Sequence, residues 1–259
     1  MRSRLRIPSR GAIAACGLAA IASACDGGST TPPASDTAPS ADALLESSDR
    51  SRGGGLPGLA WTIEIVSTDA DGETRQVLSA IARDDDSRVD YTAPEKSRGQ
   101  FVIILGRNMW FSRPGLRKPV PLSPRQRLIG EAANGDIATT NYRSDYRATL
   151  GAQESIDGEM CQVLDLSAKA KNVTYDRIRY WVSLSRGVGV QAEFYTVSGK
   201  LLKRARFEYD HQLEFGGAAF RFVSRMTITD AINPASRTVM SYRDVRIAEP
   251  DPSRFELVQ

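Results

Sequence analysis

From Leu59 onward the chain repeats one unit: a short segment that alternates apolar and polar residues, then a turn. Trp61, Ile63 and Ile65 alternate with Thr62 and Glu64. Tyr180, Val182 and Leu184 oppose Arg179, Trp181 and Ser183. Phe220, Phe222, Met226 and Ile228 face one way, and Arg221, Arg225, Thr227 and Thr229 the other. A period of two puts successive side chains on opposite faces of a strand. Asp71-Gly72, Asp157-Gly158, Ser198-Gly199 and Asn233-Pro234 supply tight turns between such segments. The pattern predicts roughly ten or eleven consecutive strands in an antiparallel meander. A sheet that large twists and curls rather than lying flat.

Helical signals occur at the start and in the middle. Ala41 to Arg50 carries helix formers with Leu44 and Leu45 on one side, and Gly53-Gly54-Gly55 and Pro57-Gly58 break it. Arg107 to Tyr146 interrupts the strands. In it, Ser123-Pro124-Arg125-Gln126 reads as an N-cap, a proline at the first helical position and a capping box. Leu128, Ile129 and Ala132 or Ala133 would share one side of that helix, and Asn134-Gly135 is the expected stop and hinge. The predicted fold class is mainly β (α+β): a curved, incomplete antiparallel barrel covered by an N-terminal helix and a helical lid.

Gln100 to Leu105 is apolar on both faces, as in a central strand under a cover. The candidate interior is Trp61, Ile63, Ile65, Ile103, Leu105, Tyr180, Val182, Phe220 and Phe222. Trp110 is expected at its rim, with Leu128 and Ile129 pressing into its mouth. Aromatic residues at such positions serve equally as sealed core or as cavity lining.

The first 24 residues have the form of a secretory leader. Arg2, Arg4, Arg6 and Arg10 precede a small apolar run, Gly11 to Ala22, and Ala22-Ser23-Ala24 is a cleavage site. The run before Cys25 resembles a bacterial lipobox, although Ala22 stands where leucine is usual, and Ala-x-Ala equally fits ordinary signal peptidase. Residues 25–40 would then be a flexible polar tether, on a lipidated Cys25 or on a plain secreted start, and residues 41–259 the folded domain. Removing residues 1–24 removes four arginines and no acid, which takes the formal charge from +3 to −1. The basicity belongs to the leader and gives no argument for nucleic acid. With Cys25 acylated, Cys161 is the one remaining thiol and no intrachain disulfide can form.

Three blocks carry a resemblance: GQFVIILGRNMWFSRPGLR (Gly99 to Arg117), Asp145 to Ala168, and YDRIRYWVSLSRGVGVQAEFYTVSGKLLKRARF (Tyr175 to Phe207). With the closing SRMTITDAINPASRTVMSYRDVRI, they resemble the bacterial outer-membrane lipoprotein-sorting protein family. That family is related in fold to the periplasmic lipoprotein carrier LolA and its receptor LolB. The resemblance implies a half-barrel over a hydrophobic cavity, acyl chains of lipoproteins or lipids as cargo, and a periplasm-facing location. A candidate lipid anchor makes this chain more like the receptor. Asp26, after the anchor cysteine, leaves the choice between inner and outer membrane open.

The sequence offers no convincing catalytic set, so the expectation is a binding protein rather than an enzyme, with no cofactor and no metal. His211 is the single histidine and reads as a turn residue, and Cys161 reads as a buried thiol in a strand. Neither a P-loop nor a nucleophile elbow is found. The alternative function is a non-catalytic interaction or sensor module, with an envelope transporter as partner.

Overall fold

The structure, a computed structural model, describes residues 39–138 and 141–257. The expected leader, the anchor Cys25 and all but the end of the tether lie outside the described residues.

Helix α1 (Ala41–Arg50) forms as its sequence predicts. Ser40 caps it, its hydroxyl accepting the Ala43 N–H at 3.2 Å. Leu44 and Leu45 are buried beneath it, together with Ser48 and Asp49. The next six strands follow in an antiparallel meander: β1 (Leu59–Asp69), β2 (Gly72–Arg83), β3 (Asp86–Ala93), β4 (Phe101–Leu105), β5 (Asn108–Ser112) and β6 (Val120–Leu122). Pro121 is tolerated in β6 because that strand is an edge.

The insert comes next. It contains β7 (Arg127–Ile129), β8 (Ala132–Ala133), a 3-10 turn (Asn134–Ile137) and a one-turn helix α2 (Tyr142–Asp145). The second run of strands is β9 (Tyr146–Ile156), β10 (Glu159–Ala168), β11 (Arg177–Ser183), β12 (Gly189–Tyr195), β13 (Leu201–Glu208), β14 (His211–Phe215), β15 (Ala218–Phe222), β16 (Arg225–Asp230) and β17 (Arg237–Ile247).

Thirteen of these strands make one sheet, in the order β6-β5-β4-β3-β2-β1-β17-β16-β13-β12-β11-β10-β9. The two runs meet where β1 pairs β17, with Ile63 opposite Tyr242 and Ile65 opposite Met240. The sheet does not close. Its free edges, β6 and β9, flank the insert in sequence, so residues 123–138 and 141–145 lie across the opening between them. The half-barrel is therefore as expected, with more strands than the alternation suggested. The predicted single strand over Ala218 to Thr229 is two, β15 and β16, and β14–β15 pair only with each other.

The predicted helix after Ser123 is not formed. The Ser123 hydroxyl accepts the Arg125 N–H and the Ser123 carbonyl accepts that of Gln126, which makes one turn. The chain then enters the β7–β8 hairpin. Gly130 stands in its bend with a positive φ of 51°. A helix there would have been short, with glycine in its interior, at a cost of about 1 kcal/mol for that residue alone. The hairpin instead buries Ile129, Ala132 and Ala133. The helical part of the cover lies further on, in the 3-10 turn and α2.

Register decides which residues share the interior. Val102 and Ile104 pair with Val89 and Ser87 and face inward with Trp61, Ile63, Ile65, Leu78 and Ala80. Ile103 and Leu105 fall on the other face, which corrects their assignment to the interior. Ile103 is buried there because the C-terminal 3-10 turn (Pro252–Phe255) packs over β3 and β4, tied by Arg254 to Asp90.

Candidate functional site

The interior under α1 and the insert is filled, and much of what fills it is polar. Arg52 follows α1 and is buried. Its guanidinium carbon lies 4.7 Å from the Phe207 ring centre and 5.4 Å from that of Tyr142. Tyr142 stands edge-on to Tyr146 and Tyr180, at 5.3 and 5.4 Å between ring centres. Such T-shaped pairs are favoured by the ring quadrupoles. Asp49 accepts the Arg143 backbone N–H at 2.9 Å, so the end of α1 holds α2. Burial pushes the Asp49 carboxyl up to about 7, against the pull of that hydrogen bond and of Arg52. Burial likewise raises Tyr175 and Tyr209 well above the ordinary phenol range.

A second polar cluster holds the hairpin and the 3-10 turn against the sheet. Lys203 reaches inward from β13. Its ammonium donates to the Glu131 carbonyl at 2.5 Å and pairs with Asp136 at 3.4 Å. The Tyr175 hydroxyl donates to Asp136 at 2.9 Å, and Asp136 accepts the Ala133 N–H at 2.9 Å. Glu131 N–H donates to the Thr238 hydroxyl at 2.8 Å, and Thr238 donates to Ser67 at 3.1 Å. Gly130 sits directly on Ser67 and Thr238, where a β-carbon would clash with both hydroxyls. Gly135 packs as tightly against Thr174. Asn134-Gly135, expected as a hinge, is thus a pinned point.

Where the insert crosses the opening, the links are different. Arg125 makes two hydrogen bonds to Asp176, at 2.8 and 2.7 Å. Arg107 pairs with Asp145 at 2.6 Å, and Asn172 donates to Asn108 at 3.1 Å. Beside these links runs an open cleft of about 830 Å³ between β5–β6 and the loop after β10. Met109, Trp110, Pro121, Leu122, Ala168 and Ala170 supply its apolar lining, with Arg125, Lys171 and Asp176 around them. A chamber of about 90 Å³ lies further in, bordered by Arg52, Ile104, Tyr142, Tyr146 and Tyr175. Cleft and chamber share Arg107, Met109, Pro124 and Asn172.

The predicted site residues divide accordingly. Trp61, Ile63, Ile65, Tyr180, Val182 and Phe222 are packed into the core, and Ile129 is buried in the hairpin. Leu128 is half-buried against that core. Trp110 borders the cleft; it pairs with Ile103, so it shares that residue's outer face, whereas Met109 pairs with the inward Ile104. Phe220 borders a separate depression beside α1 and the β14–β15 hairpin. The alternation argument did not single out Arg52, Asp49, Asp136, Tyr175 or Lys203. A signal for Lys203 was present, since it shares the inward parity of Ala205 and Phe207 in β13.

Cys161 is a buried free thiol, raised in pKa by burial. His211 holds the Tyr242 carbonyl through Nε2 at 2.7 Å, a structural bond. Among the described residues no helix is long and apolar enough to cross a membrane.

The model of a family described as "Uncharacterized protein" matches residues 83–257. Comparison with curated proteins gives no match. Among solved structures, a LolA superfamily protein from Nitrosomonas europaea is 32% identical, with a TM-score of 0.76, over 85% of this chain and 98% of that one. An outer membrane lipoprotein-sorting protein domain from Vibrio parahaemolyticus is 17% identical, with a TM-score of 0.69, over 82% and 94%. A DUF1329 family protein from Desulfovibrio piger is 18% identical, with a TM-score of 0.71, over 83% and 95%. The last two likenesses concern the fold.

Proposed function

The chain belongs to the LolA superfamily, and from that premise we propose that it is a periplasm-facing binding protein of the bacterial envelope. It holds an acyl chain of a lipoprotein or lipid, takes part in its sorting or transfer between membranes, and performs no covalent chemistry. Residues 1–24 direct export, Cys25 carries the lipid anchor, and the tether up to residue 40 lets the domain reach away from its membrane. The observation that carries this reading is the cleft of about 830 Å³ at the opening of the half-barrel, with Met109, Trp110, Leu122, Ala168 and Ala170 on its walls. An acyl chain needs an apolar concavity with a route in. The seam cleft, in which these residues stand beside Arg107, Arg125, Lys171 and Asp176, supports the reading as a partly apolar concavity outside the core, and the insert is the element that would move to deepen it.

The test is to export the chain carrying Cys25→Ser, purify it and identify what comes with it by lipid mass spectrometry. A stoichiometric acyl species, exchangeable with added lipid, is expected. Absence of acyl species and of acyl binding in vitro would overturn the reading. Mass spectrometry of the unaltered mature protein should find Cys25 acylated at the N-terminus; an unmodified Cys25 would remove the anchor from the account.

A second reading has its own observation. The space under α1 is packed and polar, which suits a non-catalytic interaction module of an envelope transport complex. A stable transporter partner recovered without any lipid would favour it.

A further inference from the structure

Arg52 is 7% exposed, and no carboxylate among the described residues lies within ion-pair distance of it. A guanidinium has five N–H donors. Among the described residues, its side chain makes one hydrogen bond, from Nη1 to the Tyr142 hydroxyl at 3.3 Å. The rings of Phe207 and Tyr142 stabilise its charge but accept none of the remaining protons. The other Arg52 nitrogens are not fully enclosed, and they make no further hydrogen bond among the described residues. Arg52 also borders the 90 Å³ chamber, which adjoins the partly apolar cleft across the shared residues Arg107, Met109, Pro124 and Asn172. Unused cationic donors thus border a small chamber next to a cleft whose lining includes Met109, Trp110, Pro121 and Leu122.

We propose that Arg52 is the head-group site for an anionic amphiphile, a long-chain carboxylic acid whose tail leaves through the seam cleft. This rests on the reading that the cleft takes an acyl chain. A carboxylate matches the planar fork of a guanidinium, and the Tyr142 hydroxyl stands beside it as a further donor. The chamber is small enough to admit a carboxylate and its first methylenes while excluding a glycerophosphate head. The acids that border the chamber are engaged elsewhere. Asp136 is held by Lys203, Tyr175 and the Ala133 N–H, and Asp145 by Arg107. Asp49, on the adjoining turn of α1, is held through Oδ2 by the Arg143 N–H, while its Oδ1 is buried without a hydrogen-bond partner and its charge is felt by Arg52.

The experiment titrates palmitate and methyl palmitate, at pH 8, into the full chain carrying Cys25→Ser. The expected result is at least tenfold tighter binding of the acid than of the ester, with Arg52→Gln collapsing that ratio toward one and Arg52→Lys retaining part of it. If Arg52→Gln does not fold by circular dichroism, Tyr142→Phe is read in its place and should reduce the ratio. Equal binding of acid and ester, or a preference that survives both variants, overturns the head-group site and leaves the acyl cleft standing. Binding of neither ligand overturns the cleft reading and the head-group site together.

Discussion

Under α1 the insert is held by buried groups; across the seam it is held by exposed ones. Lys203 and Asp136 meet with side chains 10% and 5% exposed. Arg125 and Asp176 meet at 47% and 21%, and Arg107 and Asp145 at 45% and 25%. Breaking a buried pair leaves an uncompensated charge and costs several kcal/mol, whereas exposed pairs contribute about 0–1 kcal/mol each. The insert is therefore clamped where it rests on β1, β13 and β17, and lightly fastened where it crosses from β6 to β9. Opening should begin at the seam, beside the cleft, while the polar interior stays shut.

The sharpest way to break that contrast is Lys203→Met. It removes the cation from Asp136 and from the Glu131 carbonyl and should cost about 3 kcal/mol or more in urea denaturation. A loss below 1 kcal/mol would mean that the buried cluster does not hold the insert. Gly130→Val comes next. It forces a β-branched residue into positive φ and onto Ser67 and Thr238, with about 2 kcal/mol expected from strain and overpacking.

Asp49→Asn tests the same region through pH. Burial raises the folded carboxyl from 3.8 to about 7. Between those values the folded protein holds a proton that the unfolded chain has released. Wild-type stability should therefore fall as pH rises from about 4 to about 7, by up to about 4 kcal/mol relative to Asp49→Asn. Parallel melting-temperature profiles for the two proteins would refute the raised value. The smallest effect belongs to the seam: Arg125→Ala should cost less than about 1 kcal/mol in stability. It should nevertheless speed release of a bound acyl chain in stopped-flow measurements. A large stability loss would place Arg125 with the interior clamps instead.

The half-barrel was legible because alternation survives wherever one face of a strand is buried, as in β12, β13 and β16. It failed at Ile103, where the C-terminal turn buries the outer face as well. A strand apolar on both sides carries no parity signal. The helix expected after Ser123 failed for another reason. Its cap was real for one turn, but contacts of Gly130 with Ser67 and Thr238 are far apart in sequence and invisible to a local rule. The polar interior was hardest to see. Arg52 sits beside a run of glycines that reads as a helix break, and Asp136 follows Asn134-Gly135, which reads as a stop. Trp110 was expected at the rim because it ends an apolar strand just before a proline-broken segment; it borders the cleft from the face it shares with Ile103.

That tryptophan gives the most direct test of the acyl cleft. Of the three tryptophans, Trp61 and Trp181 are buried and Trp110 borders the cleft. Titrating a dibrominated long-chain acyl ligand into the chain carrying Cys25→Ser should quench tryptophan fluorescence saturably, and Trp110→Phe should abolish most of that quenching. No saturable quenching, or quenching that persists unchanged in Trp110→Phe, would contradict acyl binding at the seam.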